Sequence, residues 1–187
     1  MLDVALKEWS VVCDLLSEGK LAILLRKGGI AEEGGAGRFR LEYPRFALFP
    51  SWAHQKPQMI KPEFRERVQV MDEPAQITFR AMGEAAHIWQ VPSPAAFDRL
   101  DNLHCWTKEQ IDMRFDYKPQ NPLYLVAVRC RLLARPKTVE NDQTYGGCRS
   151  WVPLRNADVF DETGATAVLT DSQFRAVVQR VEEAFAS

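Results

Sequence analysis

The sequence predicts an α+β fold, with a mainly antiparallel sheet flanked by helices in a single compact domain that spans residues 1–187. Helical and strand patterns are mixed but do not alternate regularly, which disfavours a doubly wound parallel sheet. The clearest strand pattern, at residues 123–133, is apolar at first and then alternates, as in a strand with one exposed face. Hydrophobic residues form 46% of the chain, so a domain of this length can bury a sufficient core.

The N-terminal third predicts a helix followed by short strands. Apolar residues recur at helical spacing over residues 4–17, and Asp3 is a suitable N-cap for that helix. Pro50 is expected to end the last of the strands, because proline has no backbone N–H to donate. The three predicted strands lie at residues 20–25, 39–41 and 46–49.

The middle of the chain is punctuated by prolines. Pro57, Pro62 and Pro74 predict a long loop or linker over residues 56–75, which is the best candidate for an internal domain boundary. A short helix at residues 63–67 fits within it. Residues 75–91 then predict two strands, in ITF and HIW, separated by the more helix-compatible AMGEAA.

The C-terminal half carries clear capping signals. Ser93 followed by Pro94 predicts the start of a helix over residues 94–103. Thr107 with Gln110 three residues later has the capping-box pattern and predicts a helix over 107–115. A short strand follows at 149–154, and a final amphipathic helix begins at Thr170 or Asp171.

The charge balance is neutral overall but uneven. The net charge is -1, so the whole-protein field attracts neither DNA nor an anionic membrane. Residues 20–65 carry nine Lys and Arg against four Glu, whereas residues 156–187 carry six acidic residues against two Arg. Such asymmetry can accompany an anionic partner, and it also arises by chance on helix surfaces.

The compartment is predicted from the cysteines and from the lack of long apolar runs. The four cysteines are scattered without CxxC spacing, as expected for reduced thiols in the cytoplasm. No run approaches the roughly 18 apolar residues of a membrane span, and the N-terminus has no signal-peptide core. We therefore expect a cytoplasmic protein without membrane contact.

A glycine-rich loop beside several cations is the strongest functional signal. A strand-like run ends in Arg26, Lys27, Gly28 and Gly29, and the chain continues through more arginines to a segment that contains His54 and Gln55. Glycines let the backbone approach a ligand closely, and Arg and Lys supply donors for an anionic one. Walker and dinucleotide motifs are absent, so the loop predicts either a general anion-binding site or a flexible surface loop whose glycines only allow turns. The candidate binding residues here are Arg26, Lys27, Gly28, Gly29, Arg38, Arg45 and Gln55.

A second glycine–cation–aromatic cluster lies at residues 145–151, YGGCRSW. Arg149 could contact phosphate while Tyr145 or Trp151 stacks on a base. The alternative is a tight turn that leads into a strand whose tryptophan belongs to the core. The recognition hypothesis requires this cluster to meet the first one in a single cleft.

Catalytic signals are weak. Glu42 and His54 are candidates for an acid/base pair, although a Glu between arginines is more often a structural ion pair. The residue types of a PD-(D/E)xK nuclease site occur at Asp14 and at Glu18 to Lys20. They lie only four residues apart at a predicted helix end, whereas such a site usually has them on adjacent strands. Zinc-ligand spacing and nucleophile motifs are absent, so we expect no metal and no cofactor.

Six motifs together resemble the bacterial family known as domain of unknown function (DUF) 1802: ALKEW, LLRKGGI, GRFRLEYPRFALFP, LHCWTKEQIDMRF, PLYLVAVR and YGGCRSW. The resemblance covers residues 5–154 and implies no established activity. Related regions joined to restriction-endonuclease-type domains imply a role near DNA restriction or defence. Tyr43 departs from the family, which often has His there. The positions that the resemblance singles out are Arg26, Lys27, Gly28, Gly29, Glu42, Arg45, His54, Gln55, His104, Trp106, Arg114, Arg129, Tyr145, Cys148, Ser150 and Trp151.

Three functions fit these observations. The first is a module that binds nucleic acid or a nucleotide through its phosphates. The second is a small enzyme that acts on an anionic substrate with Glu42 and His54 as the acid/base pair. The third is a protein-interaction subunit without chemistry, which would carry an exposed apolar patch instead of a cationic cleft.

Overall fold

A computed structural model of the protein describes residues 1–27, 43–147 and 149–186, in which seven strands form one sheet and five helices accompany it. The strands are β1 (Val4–Trp9), β2 (Ile23–Arg26), β3 (Arg45–Ser51), β4 (Gln76–Gln90), β5 (Tyr124–Glu140), β6 (Trp151–Pro153) and β7 (Thr166–Ala167). The helices are α1 (Ser10–Ser17), α2 (Pro62–Arg65), α3 (Pro94–Asp98), α4 (Lys108–Asp116) and α5 (Asp171–Ala186). The predicted α+β class is confirmed.

The sheet is mainly antiparallel, as predicted. Its order is β2-β5-β4-β3-β1-β6, and β7 also pairs with β5. The long strands β4 and β5 form its centre, whereas β1 and β3 run parallel. Alternate residues of β3 point to opposite faces, so Phe46 and Leu48 join one core cluster while Ala47 and Phe49 join the other. The sheet therefore has an apolar core on each face.

The helix predicted over residues 4–17 is wrong in its first half. Residues 4–9 form β1, which pairs with β3 on one side and β6 on the other, and α1 begins only at Ser10. Val4, Ala5 and Leu6 are buried in succession. Three consecutive buried residues indicate a strand covered on both faces, a pattern that helical spacing over a longer window obscures.

The two strands predicted over residues 75–91 are one strand, β4. The helix-compatible AMGEAA lies inside it, because β3 and β5 pair with this stretch from both sides. At Gly83 the partner side chains leave no room for a larger residue. A Cβ there would lie 2.6 Å from Phe46 Cε2 and 2.7 Å from Val128 Cγ1. Tertiary pairing thus overrides the local propensity.

Pro50 does not end its strand, contrary to expectation, since β3 extends to Ser51. The β4 pairing stops at Ala47, so among the described strands Pro50 pairs only with β1, opposite Glu8. Proline is tolerated in a strand that lacks a partner on one side. The strand predicted at residues 39–41 lies outside the described residues.

Three of the predicted helix caps are present, whereas Asp3 precedes β1 and caps no helix. Ser93 Oγ accepts from the Ala96 N–H at 3.1 Å, and Thr107 Oγ1 accepts from the Gln110 N–H at 3.4 Å. Thr170 Oγ1 accepts from the Gln173 N–H at 3.3 Å at the start of α5. The helix predicted over 94–103 is shorter, because α3 ends at Asp98 and a 3-10 turn follows at Asp101–Leu103.

The proline-rich stretch at residues 56–75 packs on the same core as the helices. It contains a 3-10 turn at Pro57–Met59 and α2, which is shorter than the predicted helix and begins one residue earlier. Ile60 is fully buried and forms an isolated bridge with Trp106, and Val68 joins the main core cluster. In the described ranges, no helix has both the length and the apolar character needed to cross a bilayer.

Candidate functional site

A cleft of about 820 Å³ opens between the ends of β1, β2 and β3 and the turn that precedes β6. Its volume lies within the range of roughly 300–1,000 Å³ that is usual for small-molecule sites. We call this depression the cationic cleft. It is lined by Lys7, Glu8, Trp9, Arg26, Ser51, Ala53, His54, Glu73, Arg114, Tyr117, Asn141, Asp142, Tyr145, Gly146, Gly147, Arg149 and Ser150.

Arg26 and Arg149 reach this cleft from opposite edges of the sheet. Arg26 ends β2, whereas Arg149 precedes β6, and β2 and β6 are the two ends of the strand order. Arg26 Nη2 nevertheless donates to the Lys7 carbonyl in β1 at 3.2 Å. The sheet must therefore curve until its edges approach each other. This curvature brings together residues from the two sequence clusters, which are more than a hundred residues apart.

Arg26 is held at the inner end of the cleft by Glu8. Its Nη2 lies 2.5 Å from Glu8 Oε1, and the two side chains are only 12% and 9% exposed. The Nε of Arg26 is buried without a hydrogen-bond partner in the part of the chain that the structure describes. Arg26 is therefore charge-compensated and retains one unused donor.

Arg114 adds a second guanidinium from the last turn of α4. Its Nη1 donates to the Leu25 carbonyl at 3.5 Å, just before Arg26. Burial lowers the pKa of Arg114, but a guanidinium starts above about 12 and keeps its proton. None of the described carboxylates lies within ion-pair distance of Arg114. The cleft floor thus holds more positive charge than Glu8 alone neutralises.

Arg149 supplies an exposed cation at the rim. Its Nε donates to the Gly146 carbonyl at 3.2 Å and its Nη2 to the Thr144 carbonyl at 2.8 Å. Those bonds orient the guanidinium but do not neutralise it. Within residues 1–27, 43–147 and 149–186, Arg149 has no carboxylate partner. Its charge is accordingly available to an anion.

Lys7 connects the two sides of the cleft. Its Nζ donates to the Tyr145 carbonyl at 2.7 Å and lies 3.4 Å from the Gly147 carbonyl. The same ammonium sits 4.8 Å from the centre of the Phe49 ring. These contacts fix the 145–147 turn against β1, and they place one more cation beside Arg149.

Tyr145 and Trp151 are held by contacts within the fold. Tyr145 is 0% exposed, and its hydroxyl donates to Asp158 Oδ2 at 2.5 Å. Trp151 is outside the cleft lining and packs edge-on against Tyr43 and Phe46, with ring centroids 5.3 and 5.4 Å apart. Both rings stabilise the fold around the turn, because aromatic burial and edge-to-face pairing favour that position.

Two other aromatic residues line the cleft. Tyr117 follows α4 and is 59% exposed, with Lys118 Nζ 5.3 Å from its ring centre. Trp9 is half-buried at the end of β1. An exposed ring beside cations is the arrangement that stacks on a base while the cations contact phosphate.

Three of the expected binding residues lie away from the cleft. Gln55 is buried, and its Oε1 accepts from Ser10 Oγ and the Val11 N–H, both at 3.2 Å, at the start of α1. Lys27 Nζ donates to the Phe115 carbonyl at 2.5 Å. Arg45 pairs with Glu162 in a separate depression of about 260 Å³. Each has a local structural partner that satisfies its polar group.

His54 lines the cleft and is exposed, with a left-handed backbone at φ 62°. Its proposed acid/base partner Glu42 lies outside the described residues. The same holds for Gly28, Gly29 and Arg38 of the first cluster and for Cys148 of the second. In the described part of the chain, no three His, Cys, Asp or Glu side chains form a metal-binding group.

Sequence reasoning missed Lys7, Trp9 and Tyr117. Lys7 and Trp9 are two residues apart in β1 and so share a face of the strand, a signal that the helix prediction for residues 4–17 concealed. Tyr117 carries no comparable signal, since it stands alone after α4. Its position in the cleft is a consequence of the tertiary fold.

Comparison with known proteins gives one family and a distant structural similarity. Residues 5–180 match the family described as "Domain of unknown function (DUF1802)". No curated protein sequence matches the chain significantly. ASCH from Zymomonas mobilis is similar in structure, with 12% identity and a TM-score of 0.47 over 83% of this chain and 89% of that one.

Two mutants of that ASCH protein give similar values. One has 12% identity and a TM-score of 0.47 over 83% of this chain and 91% of the other. The second has 11% identity and a TM-score of 0.43 over 96% and 98% of the two chains. Similarity at this level transfers neither a ligand nor a reaction.

Proposed function

This chain belongs to the DUF1802 family, whose function is unknown, and from its cleft we propose that it binds nucleic acid or a nucleotide through phosphate contacts. The observation that carries the proposal is the meeting of Arg149 with Arg26, Arg114 and Lys7 around one cleft of about 820 Å³. Glu8 compensates Arg26, whereas Arg114 and Arg149 pair with none of the described carboxylates and favour an anionic guest.

The acidic residues of the lining cancel only part of this charge. Glu8 is committed to Arg26, and Asp142 Oδ2 lies 2.5 Å from Arg155 Nη1, outside the cleft lining. Glu73 is bonded to backbone N–H groups and a hydroxyl rather than to a cation, so its carboxylate offsets one positive charge of the lining. The guanidinium of Arg149 therefore remains the most accessible charge for a phosphate.

A base fits the same arrangement beside the phosphate contacts. Tyr117 offers an exposed ring and Trp9 a half-exposed one, and stacking on an aromatic face tolerates every base. The pairing of cations with aromatic rings supports a single-stranded or flipped base more than a closed duplex. The association with DNA restriction that the family resemblance implies makes single-stranded DNA the first ligand to test.

The cytoplasm is the compartment we propose for this activity. Cys13, Cys105 and Cys130 are free and buried. Burial raises the pKa of each thiol, to about 12 for Cys105 and Cys130. Unpaired thiols of this kind persist in a reducing compartment.

Fluorescence anisotropy with labelled single- and double-stranded DNA and RNA tests the proposal. We expect the logarithm of the association constant to fall linearly with the logarithm of the salt concentration. The slope should be about -0.9 for each phosphate contacted in a duplex and about -0.7 for each one in a single strand. Arg149→Ala should weaken binding and make that slope shallower by about one contact. No detectable binding to any nucleic acid or mononucleotide at low salt would remove the proposal.

Matched variants distinguish binding in the cleft from non-specific charge attraction. Arg180→Ala removes the same charge from the exposed face of α5, away from the cleft, and should leave binding unchanged. Tyr117→Ala should weaken binding by roughly 1–3 kcal/mol for the stacked base, whereas Tyr117→Phe should retain it. Equal losses for Arg149→Ala and Arg180→Ala would indicate non-specific charge attraction.

A further inference from the structure

Three hydrogen-bond donors converge on one oxygen at the edge of the cationic cleft. Ser51 Oγ, the Trp52 N–H and the Ala53 N–H all donate to Glu73 Oε1, the two N–H groups at 3.1 and 3.0 Å. Successive backbone N–H groups that point at one atom form a concavity that binds anions. Here the anion is a carboxylate from the same chain.

This concavity belongs to the cleft. Ser51, Ala53 and Glu73 line it together with Arg149 and Arg26. It forms where β3 ends at Ser51, and the left-handed backbone of His54 at φ 62° helps to turn the chain there. An anion seated on these donors would thus share a depression with the cations already described.

The present occupant has no cationic partner among the described residues. Glu73 is exposed and lies in residues 68–74, which form neither helix nor strand. Its donors are all neutral, and among the described residues no Lys or Arg pairs with it. Gln69 anchors the same segment separately, through Trp52 Nε1 and Gln55 Nε2, both at 3.1 Å. The carboxylate can therefore leave while Gln69 keeps the segment attached.

We infer that the Ser51–Ala53 turn is a phosphate subsite of the cleft, which the Glu73 carboxylate occupies in the free protein and leaves when a phosphate binds. The inference rests on the proposed function and adds a competing internal anion to it. A phosphate oxygen accepts the same donors as a carboxylate oxygen and is also attracted by Arg149. Glu73 then acts as a placeholder that lowers the affinity for weak anions.

The test uses inorganic phosphate and 15N-labelled protein. In Glu73→Ala, phosphate should shift the amide signals of Trp52 and Ala53 at a concentration about tenfold lower than in the wild type. Glu73→Gln keeps an acceptor oxygen without the charge, so the phosphate concentration that it requires should lie between those of Glu73→Ala and the wild type. Asp72→Ala removes the same charge one residue away and should behave as the wild type, since Asp72 is outside the cleft lining.

The same variants are then compared with single-stranded DNA. Glu73→Ala should tighten binding about tenfold, and Ser51→Ala should weaken it, because one donor is lost. DNA binding that depends on Arg149 but is the same in Glu73→Ala and the wild type, without amide shifts, would overturn the inference and leave the proposed function intact. Amide shifts with phosphate but no binding of any nucleic acid or mononucleotide would support the subsite and remove the proposed function.

Discussion

Arg26 and Glu8 form an ion pair, 2.5 Å from Nη2 to Oε1, between strands that are separated by three others in the sheet order. The pair joins the end of β2 to β1 and closes the inner side of the cleft. Because both side chains are largely buried, removing one partner leaves the other charge without compensation.

We expect Glu8→Gln to lower the free energy of unfolding by about 3 kcal/mol, and Arg26→Met to lower it similarly. The double variant should lose less than the sum, because it leaves neither charge behind. Urea denaturation of the four proteins measures the coupling. A change below about 0.5 kcal/mol for Glu8→Gln would show that solvent reaches the pair, as in surface ion pairs.

Because the backbone of His54 is left-handed, we expect variants at this position to affect stability and ligand binding differently. Its φ of 62° favours glycine, since the left-handed region costs other residues about 1–2 kcal/mol. His54→Gly should therefore keep the stability of the wild type or raise it by up to about 1 kcal/mol. If the imidazole contacts the ligand, binding should weaken in the same variant.

The control for this experiment is His54→Asn, because asparagine tolerates left-handed φ and has no imidazole. Equal weakening of DNA binding in both variants, with stability retained, assigns a binding role to the ring. Wild-type binding in both would show that His54 serves the turn alone.

His104 predicts a loss of stability in acid. The ring is buried against Phe97 and Trp106, and burial lowers its pKa from 6.5 to about 4, with a further contribution from Lys61. Between pH 6.5 and about 4 the unfolded chain binds a proton that the folded protein does not. Stability should therefore fall as the pH drops through this window, by up to about 3 kcal/mol.

Urea denaturation at pH 7.5 and pH 4.5 measures this loss. His104→Gln has no titrating ring, so the difference between its two stabilities should be smaller than that of the wild type by the His104 contribution. The comparison cancels the other titrating groups, which both proteins share. An identical pH dependence in the two proteins would contradict the buried neutral imidazole.

Gly83 predicts an overpacking defect in the centre of the sheet. Gly83→Ala would place a methyl group against Phe46 and Val128, which are 0% and 1% exposed and have no room to move. We expect a loss of about 1–3 kcal/mol in the free energy of unfolding. Phe46→Leu in the same background should restore part of it, because it removes the ring atoms nearest the new methyl.

Local signals in the sequence were sufficient for much of the fold. The alternating run in β5 and the caps at Ser93 and Thr107 report interactions within a few residues, so they are readable without the tertiary structure. The helix predicted over 4–17 and the break predicted in β4 failed for the opposite reason. Residues 4–9 and the AMGEAA stretch are strands because distant strands pair with them.

The candidate site divides in the same way. The sequence identified Arg26 and Arg149 as binding candidates and His54 as a catalytic candidate, and all three line one cleft. It could not separate them from Gln55 or Arg45, whose residue types are as suitable. Gln55 caps a helix and Arg45 pairs with Glu162, and both partners are brought close only by folding.

The sequence by itself determined the class of fold, the strand β5, the helix caps and two clusters of glycine with cations. These depend on hydrophobic period and on bonds between neighbouring residues. Only the tertiary structure decided that Arg26 of the first cluster and Arg149 of the second share a cleft, that Lys7 and Tyr117 join them, and that Glu73 occupies three converging donors. The reason is the curvature of the sheet, which arises from pairing between strands far apart in the chain and sets every distance across the cleft.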